Sequence, residues 1–315
     1  MSPGDRLGAY ARLVRLPAAL TVPGDILAGA AAGGVALRPR LLGPIASSLC
    51  LYWAGMALND YVDRELDAEE RPERPVPAGE ISPAAALGTA VALTGCGLGL
   101  AVLGEGRRGL VTAVPLTAAV WAYDTLAKDR AVGPLVMGAA RGLNVLRGAD
   151  RLPAALPAAL ILALHTASVT ALSRHEAAPP PARDPAPARD PAVGTSGRRP
   201  RADGQPVRAV AAGSLVATAL AGCAAVLAAR GAVRRDRALA GALAAGFLAA
   251  AGPERLAAVR KPTPYYVRRA VAAGIHAMVP LQSALTAAAG RGGPGLALLA
   301  AYPLARRLSR KVSPT

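Results

Sequence analysis

A succession of apolar stretches, each near the thickness of a lipid bilayer, is what most restricts how this chain can fold. They occupy about residues 17–37, 41–59, 83–104, 109–127, 131–149, 153–172, 207–229, 237–252, 265–290 and 294–308, and Arg, Pro or acidic clusters bound each of them. A helix needs about 20 such residues to cross the hydrocarbon core. Backbone groups there must bond within their own segment, and no stretch shows the alternation of a membrane barrel. The pattern therefore predicts an all-α, polytopic integral-membrane bundle of nine or ten helices, since several stretches lie near the lower limit for crossing. With 53% hydrophobic residues in 315, a single membrane domain over residues 1–315 is simpler than two soluble ones.

The net charge of +16 does not point to nucleic acid, because the basic residues are scattered through short connections between the apolar stretches. Their distribution is uneven instead. The N-terminal tail, alternate connections and the C-terminal tail carry 24 Lys and Arg, and the opposite connections carry 11. The excess predicts both termini, and the connection after the second stretch, on the cytoplasmic side. Basic residues precede the first apolar run, which is too long for a signal-peptide core and reads as a retained helix. Cys50, Cys96 and Cys223 fall singly within apolar stretches, without the paired spacing of zinc sites or disulfide frameworks. Residues 177–206, AAPPPARDPAPARDPAVGTSGRRPRADGQP, nearly lack large apolar side chains and predict a flexible Pro/Arg-rich loop between helices 6 and 7. Gly29/Gly33, Gly95/Gly99 and Gly138/Gly142 are spaced for close helix contact.

The second apolar stretch runs into ALNDYVDRELDAEERPERPVPAGEIS, residues 57–82. On a continued helix Asn59, Asp60, Asp63 and Asp67 share one face, while Glu65, Glu69 and Glu70 mostly point elsewhere. Three carboxylates so placed repel unless a cation lies among them. An all-oxygen donor set with room for water suits Mg²⁺, whose shell phosphate oxygens commonly complete. The plainer alternative is a solvated, acidic helix end.

Asn59-Asp60-x-x-Asp63-x-x-x-Asp67, followed by RPERPVPAGEIS from Arg71 to Ser82, resembles the first aspartate-rich motif of the UbiA superfamily of intramembrane prenyltransferases. The resemblance implies an all-helical bundle of about nine spans, with the motif after the second helix binding the diphosphate of an isoprenoid donor through Mg²⁺. It also implies that Arg74, in a proline-flanked extended segment, helps to neutralise that diphosphate.

A second polar cluster follows in WAYDTLAKDRAVGPLVMGAARGLN, residues 121–144. Lys128, one of three lysines in the chain, ends a helix on the side predicted for Asp60 and could hold a phosphate; a membrane-surface anchor is the alternative. Arg141 and Asn144, three residues apart in an apolar helix, predict a partner in the cavity or a structural polar pair. With Tyr123, Asp124 and the later Leu-Ser-Arg174-His175-Glu176, the cluster resembles the EboC-type branch. Quinone-pathway members carry a second Asp-x-x-x-Asp motif where this chain has one acid, Glu176, beside Arg174. The resemblance accordingly implies that Arg174 shares in holding diphosphate, and it leaves open a second Mg²⁺. His165 and His276 stand alone in apolar stretches and predict packing roles; His175 is noted only for its place beside Arg174. Asp25 is an intramembrane acid predicted to face the cavity, and Tyr265 and Tyr266 predict interface anchors.

The resulting expectation is a Mg²⁺-dependent membrane prenyltransferase. Asn59, Asp60, Asp63 and Asp67 hold the metal, and Arg74, Lys128, Arg141, Asn144, Arg174 and Tyr123 face the diphosphate. Asp124 and Glu176 are the candidates for a base toward the acceptor. The partners expected are a prenyl diphosphate donor, membrane lipid and a small acceptor. The EboC-type resemblance implies that this acceptor is polar and cyclitol-like. The rival reading is a transporter or lipid-handling protein that keeps the fold without transferase activity.

Overall fold

The computed structural model describes residues 3–15, 21–176 and 205–312, with side chains through Pro303. Residues 177–204 of the expected loop lie outside the described residues, whereas Gln205 and Pro206 already open a helix.

Among the described residues the secondary structure is helical, without strands. In chain order the helices are α1 (Pro3–Leu13), α2 (Val22–Ala32), α3 (Leu42–Val62), α4 (Arg64–Glu70), α5 (Pro83–Glu105), α6 (Leu110–Ala122), α7 (Gly133–Arg147), α8 (Leu152–Ser173), α9 (Gln205–Ala228), α10 (Arg234–Arg260), α11 (Pro264–Ala288) and α12 (Gly292–Val312). Each expected apolar stretch coincides with one of α2, α3 and α5–α12. Six helical runs are long and apolar enough to cross a membrane, and one of them, Pro83–Ala127 at 45 residues, joins α5 to α6 through a short 3₁₀ turn. At 11 residues α2 is too short to cross alone.

Consecutive helices pack as neighbours from α5 to α12, and α2 is wedged between α7 and α11. Burial follows position: 72% of the apolar window of α11 is buried, against 22% for Pro83–Ala127. Helix α11 is therefore the inner post of the bundle, and α5 and α6 turn their Leu and Val outward, as lipid-facing helices do.

Glycine sets the closest crossing. A Cβ on Gly29 of α2 would lie 1.8 Å from the Val145 carbonyl oxygen of α7, and one on Gly148 would lie 2.1 Å from that of Ile26. Backbone contact this near brings Asp25, one turn before Gly29, against α7. Gly138 fits the expected close contact, against α8, but a Cβ on Gly95 or Gly99 would meet nothing within 4 Å. Those two glycines face outward, since spacing alone does not say which side of a helix a small residue occupies.

Cys50 of α3 and Cys96 of α5 lie with sulfurs 3.7 Å apart, a pairing that sequence distance concealed. Copper-phenanthroline treatment should join them into an intramolecular disulfide, read as loss of two alkylatable thiols while Cys223 stays reactive. Equal alkylation of all three cysteines would contradict the packing of α3 on α5.

Candidate active site

The acidic stretch forms two helices and not the single one expected. Helix α3 ends at Val62, Asp63 sits at φ −84°, ψ 1°, and α4 restarts at Arg64. The hydrogen-bond ladder continues across the junction, from Asp63 N–H to Asn59 O at 2.9 Å and from Asp67 N–H to Asp63 O at 2.7 Å. Carboxylates at a helix C-terminus oppose the helix dipole, and the bend lets each acid find its own cation.

Asp60 and Asp67 are both buried. Arg15, just past α1, donates to Asp60 Oδ1 at 2.7 Å and to Asn59 Oδ1 at 3.1 Å. Its backbone lies in the left-handed region at φ 43°, which turns the chain out of α1 and toward α3. Arg74 donates to Asp67 and approaches Asp60 at 3.6 Å. Its segment is a compact turn, with Ala78 N–H on Arg74 O at 2.9 Å, and not the extended segment expected from its prolines. Buried Val76 and Ile81 dock this turn on Ala57 and Leu58 of α3.

The end of α6 supplies the other side. Residues Tyr123–Ala127 form a π-helical turn, closed by Lys128 N–H on Tyr123 O at 2.9 Å. Such a turn rotates the following side chains by about one position and recurs at functional sites. Here it brings Asp124 within 3.3 Å of Asn59 Nδ2 and pairs Lys128 with Asp63. The cluster thus unites α1, α3, α4, the Arg71–Ser82 turn and the end of α6. Four buried or half-buried acids, Asp60, Asp63, Asp67 and Asp124, alternate with three cations, Arg15, Arg74 and Lys128.

Residues 18–175 match the model of the UbiA prenyltransferase family. The chain belongs to that family. The digeranylgeranylglyceryl phosphate synthase of Natronomonas pharaonis is 31% identical over 160 residues, covering 50% of this chain and 57% of that protein. The enzyme of that name from Methanothrix thermoacetophila is 56% identical over 50 residues, 15% of this chain and 19% of its own. The one from Ignicoccus hospitalis is 39% identical over 105 residues, 32% of this chain and 34% of its own. In each case the matched stretch spans less than two thirds of the relative. A solved structure from work on digeranylgeranylglyceryl phosphate synthase in membranes covers 90% of this chain and 99% of that one, with a TM-score of 0.57 at 15% identity. At that identity the likeness shows a shared fold.

Within this UbiA-family chain the other expected site residues lie apart from the cluster or at its edge. Arg141 and Asn144 donate to Asp25 Oδ2, each at 2.7 Å, and Gln282 of α11 donates to Asp25 Oδ1 at 2.6 Å. Arg141 also stacks over the Tyr52 ring at 5.5 Å. The described bonds of this pair thus tie α2, α7 and α11 together and do not reach the aspartates. Arg174 donates to the carbonyls of Arg130 and Asp129 at 2.8 and 3.1 Å, which fastens the end of α8 to the turn after Lys128. Tyr123 lies within electrostatic range of both Arg174 and Asp63. Burial pushes the Glu176 carboxyl up, with Arg71 and Arg268 pulling the other way, so Glu176 borders the Arg71–Ser82 turn. His165 is a packed core residue, its ring edge-on to Phe247. Arg15 was missed because its partners lie 44 and 45 residues away; its place beside an apolar run was the only sequence signal.

The donor set of Asn59, Asp60, Asp63 and Asp67 is all oxygen and suits Mg²⁺ in kind. Among the described residues no three carboxylate, His or Cys groups already converge as a metal centre, because Arg15, Arg74 and Lys128 stand between the acids. A cavity of about 510 Å³ opens at the other end of the same helices, where Arg147 is paired with Glu105 and Arg40 with Asp150. Its lining carries three guanidiniums, Arg40, Arg108 and Arg147, against two carboxylates, Glu105 and Asp150.

Proposed function

We propose that this protein transfers an isoprenoid chain from a prenyl diphosphate to a small polar acceptor, at the cytoplasmic end of a membrane bundle and with Mg²⁺. The observation that carries the reading is the alternation of four acids with three cations at the ends of α3 and α6. A metal–diphosphate unit has the same two signs: its metal would take Asn59, Asp60, Asp63 and Asp67, and its phosphate oxygens would take Arg15, Arg74 and Lys128. Bound there, Mg²⁺ would neutralise charge on the departing diphosphate. The chain's own residues do the rest. Arg74 offers a two-pronged donor and Lys128 a compact charge to developing negative oxygens. The apolar helices beneath keep water from an allylic cation, and no protein nucleophile is needed. Asp124, hydrogen-bonded to Asn59 at the same end, is the base proposed to take the acceptor proton. Arg174, which borders the same end on the carbonyls of Arg130 and Asp129, is the further cation proposed to share in holding the diphosphate, with Glu176 beside it.

For the acceptor, the relatives are named for making a glyceryl phosphate that carries two prenyl chains. Those names favour a glycerophosphate lipid over the cyclitol implied by the EboC-type resemblance. The purified protein in liposomes, given labelled prenyl diphosphates, Mg²⁺ and a singly prenylated glycerol phosphate, should release diphosphate and form a product extractable into organic solvent. Absence of release with every donor would favour the transporter or lipid-handling reading.

A further inference from the structure

The cavity at the end of the bundle away from the aspartates has a charge pattern that prenyl transfer does not use. It lies between the connection from α2 to α3, the turn from α5 to α6 and the connection from α7 to α8. Its volume of about 510 Å³ falls within the usual range of small-molecule sites. Those three connections hold Arg38, Arg40, Arg107, Arg108, Arg147 and Arg151, six of the 11 basic residues counted for that side of the membrane, against two acids, Glu105 and Asp150. This is the side expected to be poor in positive charge, so their gathering around one cavity calls for an anion from outside the chain.

Not every guanidinium in the lining is available. Arg147 is buried, and its donors go to Ser47, Ser48, the Gly109 carbonyl and Glu105, so it serves to neutralise Glu105. Arg40 pairs with Asp150 at 3.1 Å, but the two side chains are 56% and 70% exposed, and a pair so open to water holds its members weakly. Arg108 is exposed and has neither ion pair nor hydrogen bond from its side chain among the described residues. Thr112, four residues further on in α6, is only 9% exposed, and its hydroxyl has no hydrogen-bond partner among the described residues. Buried hydroxyls ordinarily find one. Arg40, Arg108 and Thr112 all line the cavity and can serve one occupant together.

The charge and the apolar part of the lining define that occupant. Three guanidiniums against two carboxylates leave one surplus positive charge, which a phosphodiester, singly negative at neutral pH, would balance. Its oxygens accept from a guanidinium fork and from a hydroxyl alike. Val111 and Leu152 also line the cavity and are 64% and 38% exposed, at the ends of helices that cross the membrane. A free ion would leave these two side chains bare, whereas a phospholipid brings acyl chains to cover them.

We propose that the cavity seats the phosphodiester of an anionic phospholipid from the leaflet opposite the aspartate-rich cluster, with Arg40 and Arg108 on its oxygens and Thr112 donating to one of them. The site stands independently of prenyl transfer, since its test reads binding alone, without donor or Mg²⁺.

The test is thermal unfolding of the purified full chain in detergent, titrated with phosphatidylglycerol and, separately, with phosphatidylcholine. A ligand that binds only the folded state raises the midpoint saturably. Phosphatidylglycerol should do so, and phosphatidylcholine, whose ammonium cancels the charge, should do so only at much higher concentration. Arg40→Met and Arg108→Met should each raise the half-saturating concentration of phosphatidylglycerol roughly fivefold, and the double variant roughly twenty-five-fold, at about 1 kcal/mol for each basic residue near an anionic membrane surface. Both side chains are exposed, so these variants should fold; if the double variant does not, Thr112→Val, which keeps every charge, should still raise the half-saturating concentration. Arg107 is the neighbour of Arg108 but does not line the cavity, and Arg107→Met should respond as wild type does. Arg74→Met, in the aspartate-rich cluster, should do the same. Glycerol phosphate, the free form of the same chemistry, should protect only at far higher concentration than the lipid. An equal response in wild type and the double variant, an equal loss in Arg107→Met and Arg108→Met, a response abolished only by Arg74→Met, or protection by glycerol phosphate as strong as by phosphatidylglycerol overturns the proposal.

Discussion

Asp63→Ala is expected to lower diphosphate release by roughly a hundredfold to a thousandfold, the scale on which loss of one group stabilising transition-state charge acts, while the protein still inserts and folds. Asp63 sits at the hinge between α3 and α4, paired with Lys128 and accepting from Asn59 Nδ2 at 3.0 Å. Its side chain is 18% exposed and that of Lys128 15%, so the orphaned ammonium can turn toward water. The cost in stability should therefore be about 1 kcal/mol. Asp63→Asn sharpens the test. It keeps the shape and a hydrogen-bonding group but loses the charge, so a metal ligand would be lost as fully as in the alanine variant, whereas a residue needed only to position Lys128 would be largely spared. Lys128→Met should raise the donor concentration needed for half-maximal rate without changing the Mg²⁺ requirement. Normal turnover in Asp63→Ala, or full wild-type activity in EDTA, would end the metal reading.

The sequence made the bundle legible because bilayer thickness imposes a length on every helix, and that length survives in the spacing of Arg and Pro. The aspartates were legible for a related reason: their spacing is local, and one helical face can be counted. What escaped was set by distant partners. Arg15 reaches α3 across more than forty residues, and the π-turn at Tyr123–Ala127 leaves no compositional trace, yet it decides where Asp124 and Lys128 point. Asp25 was visible as an acid in an apolar run, but its partners on α7 and α11 lie 116 to 257 residues away. Arg141 and Asn144 were accordingly assigned to the diphosphate when their described bonds go to Asp25.

That network leads to the second large effect, which concerns stability. Asp25 is fully buried and accepts three hydrogen bonds, two of them to Oδ2 from α7 and one to Oδ1 from α11. Asp25→Ala removes the counter-charge of Arg141, whose side chain is only 14% exposed, and leaves Asn144 and Gln282 with unanswered donors. Breaking a buried pair from one side costs about 3–5 kcal/mol; in a bilayer the unfolded reference finds other partners, which pulls the figure toward the lower bound. Removing both charges is a different matter, since a well-packed apolar pair can replace an ion pair at little loss. Asp25→Leu with Arg141→Met should therefore recover most of the stability that Asp25→Ala loses, measured by thermal unfolding in detergent at equal protein concentration. The double variant also decides what Arg141 is for. If the guanidinium serves only to join α2 to α7, donor affinity in the refolded double variant should match wild type. If it reaches the diphosphate as well, the Michaelis constant for donor should rise severalfold even where folding is restored. Unchanged stability in Asp25→Ala would mean that this buried network does not hold α2 between α7 and α11, and the close crossing at Gly29 and Gly148 would have to do so alone.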